Sequence, residues 1–196
     1  MLPLLFALSA CGLAEDERDE KNKYEYLVFS DAAFEAYCLE LFDLNRDGRI
    51  SRYEAQRVLT MDCSNRGIAS LYEIGDFSRL QRLNCSRNLL TTLDLRGLNA
   101  LENLDCSDNR LTRLDVRGLR SLTALSCFSN LLAALDLGSN ASLSRFDGRT
   151  NRYPTLDVRG CATTLAADVT DNPRLGTVYC LPTQNVAADG HTQLVR

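Results

Sequence analysis

The feature that most constrains this chain is an asparagine that returns at a fixed interval. Asn88, Asn109, Asn130, Asn151 and Asn172 stand twenty-one residues apart. Eight positions before them the register starts at Leu80, Leu101, Leu122, Leu143 and Thr164. Three positions into each register come Leu83, Leu104, Leu125, Phe146 and Ala167. Five positions in come Cys85, Cys106, Cys127, Gly148 and Val169. The second half of the period is as regular, with Leu93-Asp94-Leu95, Leu114-Asp115-Val116, Leu135-Asp136-Leu137 and Leu156-Asp157-Val158. One coil of this length cannot bury its own leucines. Stacked coils bury them in a continuous column, so several are needed for stability.

The pattern L-x-x-L-x-C-x-x-N, followed by L-x-x-L-D-[LV], resembles the leucine-rich repeat. It is most similar to the short nested repeats of bacterial surface proteins and broadly similar to internalins. The resemblance covers about Cys63 to Cys180, with an incomplete leading repeat at Cys63, Ile68, Leu71, Ile74 and Phe77. It implies an α/β repeat fold, a right-handed leucine-rich-repeat solenoid of short parallel strands whose first strand lines a concave, partner-holding face. The pattern decays after Tyr153 and gains a residue after Asn172, which fits a terminal cap with a polar outer face.

The asparagine amide can bond neighbouring backbone and so satisfy groups that are costly to bury unpaired. Cys85, Cys106 and Cys127 point inward at one place in successive coils, with Cys63 at the head of the row. They read as small apolar fillers rather than disulfides or a metal site. No C-x-x-C pair converges on a metal. Cys38, Cys161 and Cys180 lie off this row, and a Cys161–Cys180 bridge stays open.

Ahead of the repeats, residues 43 to 54 read DLNRDGRISRYE. Asp43, Asn45 and Asp47 occupy positions 1, 3 and 5 of a twelve-residue EF-hand calcium loop, and Gly48 supplies the turn at 6. Arg49 would offer its backbone carbonyl at 7, Ser51 would act at 9, and Glu54 would give two oxygens at 12. Ser30 or Asp31 can cap a helix through about Phe42, with Phe34, Tyr37, Cys38 and Leu41 on one face. A second helix is expected from about Arg52 to Leu59. Dockerin modules share D-x-N-x-D-G but carry two loops, whereas this chain has one. A single loop in front of a solenoid reads as structural: Ca²⁺ fixes helices that cover the end of the first coil.

The N-terminus carries an apolar run from Leu2 to Leu8, then Leu8-Ser9-Ala10-Cys11 and a charged segment. This resembles the lipobox of bacterial lipoproteins, without the basic residues that usually precede it. The resemblance implies lipidation of Cys11 and an exported protein at the outer membrane or cell surface, held by its lipid alone. The expected organisation is a signal peptide over 1–11, a flexible acidic tether over 12–29, an EF-hand-containing cap over 30–62, the solenoid over 63–180 and a C-terminal tail or cap over 181–196.

Residues two and four after each register start point outward: Arg82 and Asn84, Asn103 and Asp105, Ala124 and Ser126, Arg145 and Asp147. With Phe128, an aromatic where other coils have Ser or Arg, they are the candidate contacts for a protein or glycan partner. Asp94, Asp115, Asp136 and Asp157 form a second outward row, offset by Arg96, Arg117 and Arg159. The only histidine, His191, follows the repeats, and no catalytic set surrounds it. The expected function is therefore binding by a monomer rather than catalysis. A net charge of −4 argues against nucleic acid. The alternatives are a purely structural envelope protein and, behind it, a calcium sensor.

Overall fold

The computed structural model describes residues 25–196; Cys11 lies outside the described residues. Helix α1 spans Ala32–Phe42. It starts at Asp31, whose Oδ1 accepts from the amides of Ala33 at 2.9 Å and Phe34 at 3.0 Å. Its Oδ2 reaches the first coil and accepts from the Ala69 and Ser70 amides at 2.7 and 3.1 Å. One side chain thus caps the helix and fastens it to the solenoid. Phe34, Tyr37 and Cys38 are buried, but Leu41 is 50% exposed. Phe42 takes the core-facing place instead, its ring 5.7 Å from Tyr37 and 6.2 Å from Phe77.

The second helix, α2, covers only Arg52–Ala55 and stops short of Leu59. The chain has to turn there so that Thr60–Asp62 can run as strand β1 beside the first full coil. Strands β1 (Thr60–Asp62), β2 (Arg82–Asn84), β3 (Asn103–Asp105), β4 (Ala124–Ser126) and β5 (Arg145–Asp147) are parallel and in register. A strand β6 (Thr155–Asp157) follows on another face, and β7 (Ala166–Asp168) returns to pair with β5. Strands β8 (Thr177–Tyr179), β9 (Asn185–Ala187) and β10 (Gln193–Val195) complete the chain. β9 closes a seven-stranded sheet, and β6, β8 and β10 form a separate three-stranded sheet. Residues 181–196 therefore continue the solenoid with the last strand of each sheet rather than forming a tail.

Strands β2 to β5 are each buried at the middle residue and open at the two outer ones. Met61, Leu83, Leu104, Leu125, Phe146 and Ala167 form one buried column, and Cys63, Cys85, Cys106, Cys127 and Val169 another. Gly148 interrupts the cysteine row for a steric reason, since a Cβ there would run into the Phe146 ring. Phenylalanine in a leucine position thus requires glycine in a cysteine position. All seven described cysteines are free and buried. Burial pushes the Cys63 and Cys127 thiols up to about 12, so they stay protonated fillers. Cys38 sits in the N-terminal core. Cys161 takes the place of Leu98 and Leu119, and Cys180 stacks beside Val158.

The asparagines do what their period demands. Asn109 Nδ2 donates to the carbonyls of Cys85, Cys106 and Ser107 at 3.0, 3.1 and 3.0 Å, while its Oδ1 accepts from the Leu90 amide at 3.0 Å. Asn88, Asn130, Asn151 and Asn172 repeat the pattern. The residue before each one, Arg87, Asp108, Ser129, Thr150 and Asp171, has φ between 50° and 57°. Only a few per cent of non-glycine residues adopt that left-handed conformation, and here it recurs once per coil.

Candidate partner groove and calcium loop

The outer face of the seven-stranded sheet is an open groove of about 660 Å³. Leu83, Leu104, Leu125 and Phe146 show at its floor. One polar row runs Thr60, Arg82, Asn103, Ala124, Arg145, Ala166 and Asn185. The other runs Asp62, Asn84, Asp105, Ser126, Asp147 and Asp168. In-register pairing stacks these residues from coil to coil. Eight of the nine candidate contacts line it. Phe128 does not: it is half-buried, with the Arg149 guanidinium 5.3 Å from its ring centre. Thr60, Asp62, Ala166, Asp168 and Asn185 were missed from the sequence. Cys63 two residues after Met61 signalled the first pair, and the Thr164 register signalled the next.

The second row is partly committed to the fold. Asp62, Asn84, Asp105 and Asp168 each accept the backbone N–H two residues on, at 3.0 to 3.1 Å. Asp147 does the same for Arg149 and also takes its guanidinium at 2.8 Å. These short-range turns leave only part of each side chain for a partner. On the flank, Asp94, Asp115 and Asp157 each pair with the arginine two residues on, whereas Asp136 is followed by Gly138. The side-chain bond from Arg117 holds Asp115 down to about 2. The flanking pairs are solvent-exposed, and such pairs contribute little stability.

The loop after α1 folds around its own oxygens. Asp43 Oδ1 accepts from the Asp47 amide at 3.2 Å, and Oδ2 accepts from the Gly48 amide at 2.9 Å. Asn45 Oδ1 accepts from Asp47 at 3.0 Å, and Asp47 Oδ1 accepts from Arg49 at 2.9 Å. Gly48 has φ +78° with open space where a Cβ would stand, so conformation rather than room demands glycine there. Glu54 is 3% exposed and closes the loop. Its Oε1 accepts from Leu44 at 2.9 Å, and its Oε2 accepts from the Ser51 amide and hydroxyl at 2.8 Å.

Three carboxylates thus share one loop, and among the described residues none of them has an ion pair. A buried carboxylate with only N–H and O–H donors leaves a negative charge to be offset. The donors are all oxygen, the set a hard cation such as Ca²⁺ prefers. Among the described residues no three Asp, Glu, Cys or His side chains converge as a metal-holding group. Asn45, the Arg49 carbonyl and Ser51 add further oxygens to the same loop. No helix among the described residues is long and apolar enough to cross a membrane.

No protein-family model matches the chain, and no curated protein matches it. Among solved structures, the leucine-rich-repeat domain of APL1B aligns over 98% of this chain and 62% of its own, at 17% identity and a TM-score of 0.58. The functional domain of InlJ from Listeria monocytogenes, described as including a cysteine ladder, aligns over 83% of this chain and 60% of its own, at 20% identity and TM-score 0.42. An internalin, InlF, of the same organism aligns over 86% and 69%, at 14% identity and TM-score 0.47. The chain thus spans about 60% of the InlJ domain's length. The APL1B likeness, joined to the in-register parallel strands and the asparagine row, makes the fold a leucine-rich-repeat solenoid.

Proposed function

We propose that this chain is a calcium-stabilised, surface-anchored recognition module that binds a protein partner in the groove of its seven-stranded sheet. The observation that carries this is the groove itself. A leucine floor lies between two polar rows, with Arg82 and Arg145 on one side and Asp62, Asp105, Asp147 and Asp168 on the other. An apolar floor supplies affinity on desolvation, and charged rows of opposite sign orient what lands between them. The frame needs none of the side chains of Arg82, Asn103 or Arg145 for backbone support, so they are available for contact. Partners of InlJ or of other internalins are no guide to this chain's partner, which its own groove chemistry selects.

Ca²⁺ would be held by Asp43, Asn45, Asp47, the Arg49 carbonyl, Ser51 and Glu54. There it would neutralise the loop carboxylates and set the angle between α2 and α1, whose Phe34 and Phe42 pack on Phe77 of the first coil. Lipid on Cys11 would tether the module to a membrane surface; two apolar signals are generally needed for a firm anchor, unless the lipid is itself multiply acylated.

The test is capture of partners by the full chain, immobilised through its C-terminus, from host-surface and bacterial-envelope extracts. An Arg82→Glu, Arg145→Glu double variant serves as control. A protein retained by the native chain and lost by the folded variant supports the groove. Capture of oligosaccharide in its place makes the partner a glycan. No groove-dependent partner from either extract sinks the recognition reading in favour of a structural envelope role.

A further inference from the structure

The segment ahead of α1, expected as loose tether, is bound to the calcium loop. The Leu27 amide donates to the Ile50 carbonyl at 2.8 Å, and the Arg52 amide donates to the Glu25 carbonyl at 2.7 Å. Tyr26 and Ser51 form an antiparallel bridge between these bonds. The side chains join too. The Tyr26 hydroxyl donates to Asp47 Oδ2 at 3.0 Å, the Arg49 guanidinium lies 3.7 Å from the centre of the Tyr26 ring, and Arg52 pairs with Glu25 at 3.4 Å. Downstream, Leu27 and Phe29 pack on the core and the Ser30 amide donates to the buried Glu73 at 2.8 Å.

We infer that Glu25–Leu27 is a working part of the cation site: it supplies the strand that a lone loop lacks, and Tyr26 is a positioning residue that aims the Asp47 carboxylate into the loop. This rests on the calcium reading above and deepens it. The physical need is plain. The backbone at the loop exit, Ile50 to Arg52, carries donors and acceptors that require partners, and buried or half-buried backbone groups seldom go without. A second loop would ordinarily meet that need by pairing; here the chain's own upstream strand meets it. A carboxylate held by an O–H donor on one oxygen loses rotamer freedom before the ion arrives, so less ordering remains to be done on binding. Coupling of this kind is reciprocal. If the strand tightens calcium binding, calcium tightens the strand by the same factor, and the attachment between tether and solenoid hardens where calcium is plentiful.

The experiment is calorimetric titration of calcium chloride into the full chain and into Tyr26→Phe and Leu27→Pro variants. Hydrogen exchange at the Leu27 and Arg52 amides is followed with calcium and with chelator. Circular dichroism in chelator establishes that each variant is folded. The expected result is a roughly three- to tenfold weaker affinity for Tyr26→Phe, the worth of one solvent-exposed hydrogen bond. Leu27→Pro should lose more, and both amides should exchange more slowly in calcium for the native chain. Native-like affinity in a folded Tyr26→Phe variant, or exchange at Leu27 indifferent to calcium, overturns the inference while leaving the calcium site standing. No calcium heat with the native chain overturns both.

Discussion

Replacing Asn109 with Leu adds apolar area to a buried position and should nevertheless destabilise the protein. The side chain is 9% exposed and makes four hydrogen bonds. Its removal does not strand four groups. The Cys85 carbonyl keeps Asn88, the Cys106 carbonyl keeps Asn130, and the Ser107 carbonyl keeps the Arg87 amide. Only the Leu90 amide, in a fully buried residue, loses its sole partner among the described residues. An orphaned buried donor costs about 1–3 kcal/mol, and three carbonyls reduced from two partners to one cost about 0.5–1 kcal/mol each. Added apolar burial returns about 1 kcal/mol, leaving a net loss of about 3 kcal/mol. Urea unfolding followed by circular dichroism, with the slope unchanged from the native chain, measures it. A loss below about 1 kcal/mol would refute the reasoning and mean that the turns are held by packing and not by the asparagine row. Asn109→Asp sharpens the test. It keeps the acceptor for Leu90 but faces three carbonyls with an anion, so its folded pKa must rise. Its stability should be best below about pH 4 and fall as pH climbs.

The same chemical change elsewhere should have the opposite sign. Asn140 is fully buried where other coils have Leu98 and Leu119, and its Oδ1 is the one buried side-chain acceptor without a partner among the described residues. Its amide donates to the Val116 and Leu119 carbonyls, both of which also hold a backbone N–H. Asn140→Leu should therefore stabilise by about 1–2 kcal/mol in the same urea assay, and any loss would count against the assignment. At the cap, Asp31→Asn should destabilise by about 1–2 kcal/mol at neutral pH, since the carboxylate takes four N–H groups from two elements. Burial alone would raise the Asp31 pKa, but the Ala69, Phe34, Ser70 and Ala33 amides together bring it below the ordinary value. A depressed folded pKa stabilises above the unfolded pKa and is lost as pH falls through the folded one. The gap between native and Asp31→Asn should thus close below about pH 4, and a gap independent of pH would contradict it.

Most of the frame was legible because it repeats. Leu83, Leu104 and Leu125 announce the strand centres, and Asn88, Asn109 and Asn130 announce the turns, since one physical requirement recurs at one interval. Legibility failed where a position answers to a neighbour instead of to the period. Gly148 is explained by the Phe146 ring beside it, and the exposure of Leu41 by Phe42 taking its place. α2 is cut short by the demand of β2 for a partner. Strand β9 carries Val186 and Ala188 where leucine and cysteine would have marked it, so residues 181–196 read as a tail or cap. Of the candidate contacts, alternation placed Arg82, Asn84, Asn103, Asp105, Ser126, Arg145 and Asp147 on one face. Phe128, named as a loop-edge neighbour, stands off that groove with the Arg149 guanidinium of the next coil against its ring, a contact that alternation does not reveal.

The reach of each asparagine has a consequence for how such a chain can change over generations. Asn130 touches the carbonyl of Cys106 behind it and of Cys127 in its own coil, as Asn109 touches Cys85 and Cys106. No coil bonds to anything more remote through this row. A recombination event that drops or doubles a whole period would join two surfaces that already know one another's chemistry, whereas a gain of one residue has to be absorbed in a loop, as in the 22-residue steps from Thr60 to Arg82 and from Thr155 to Thr177. Groove length is then heritable in discrete steps, and the outward residues can diverge without reopening the folding problem.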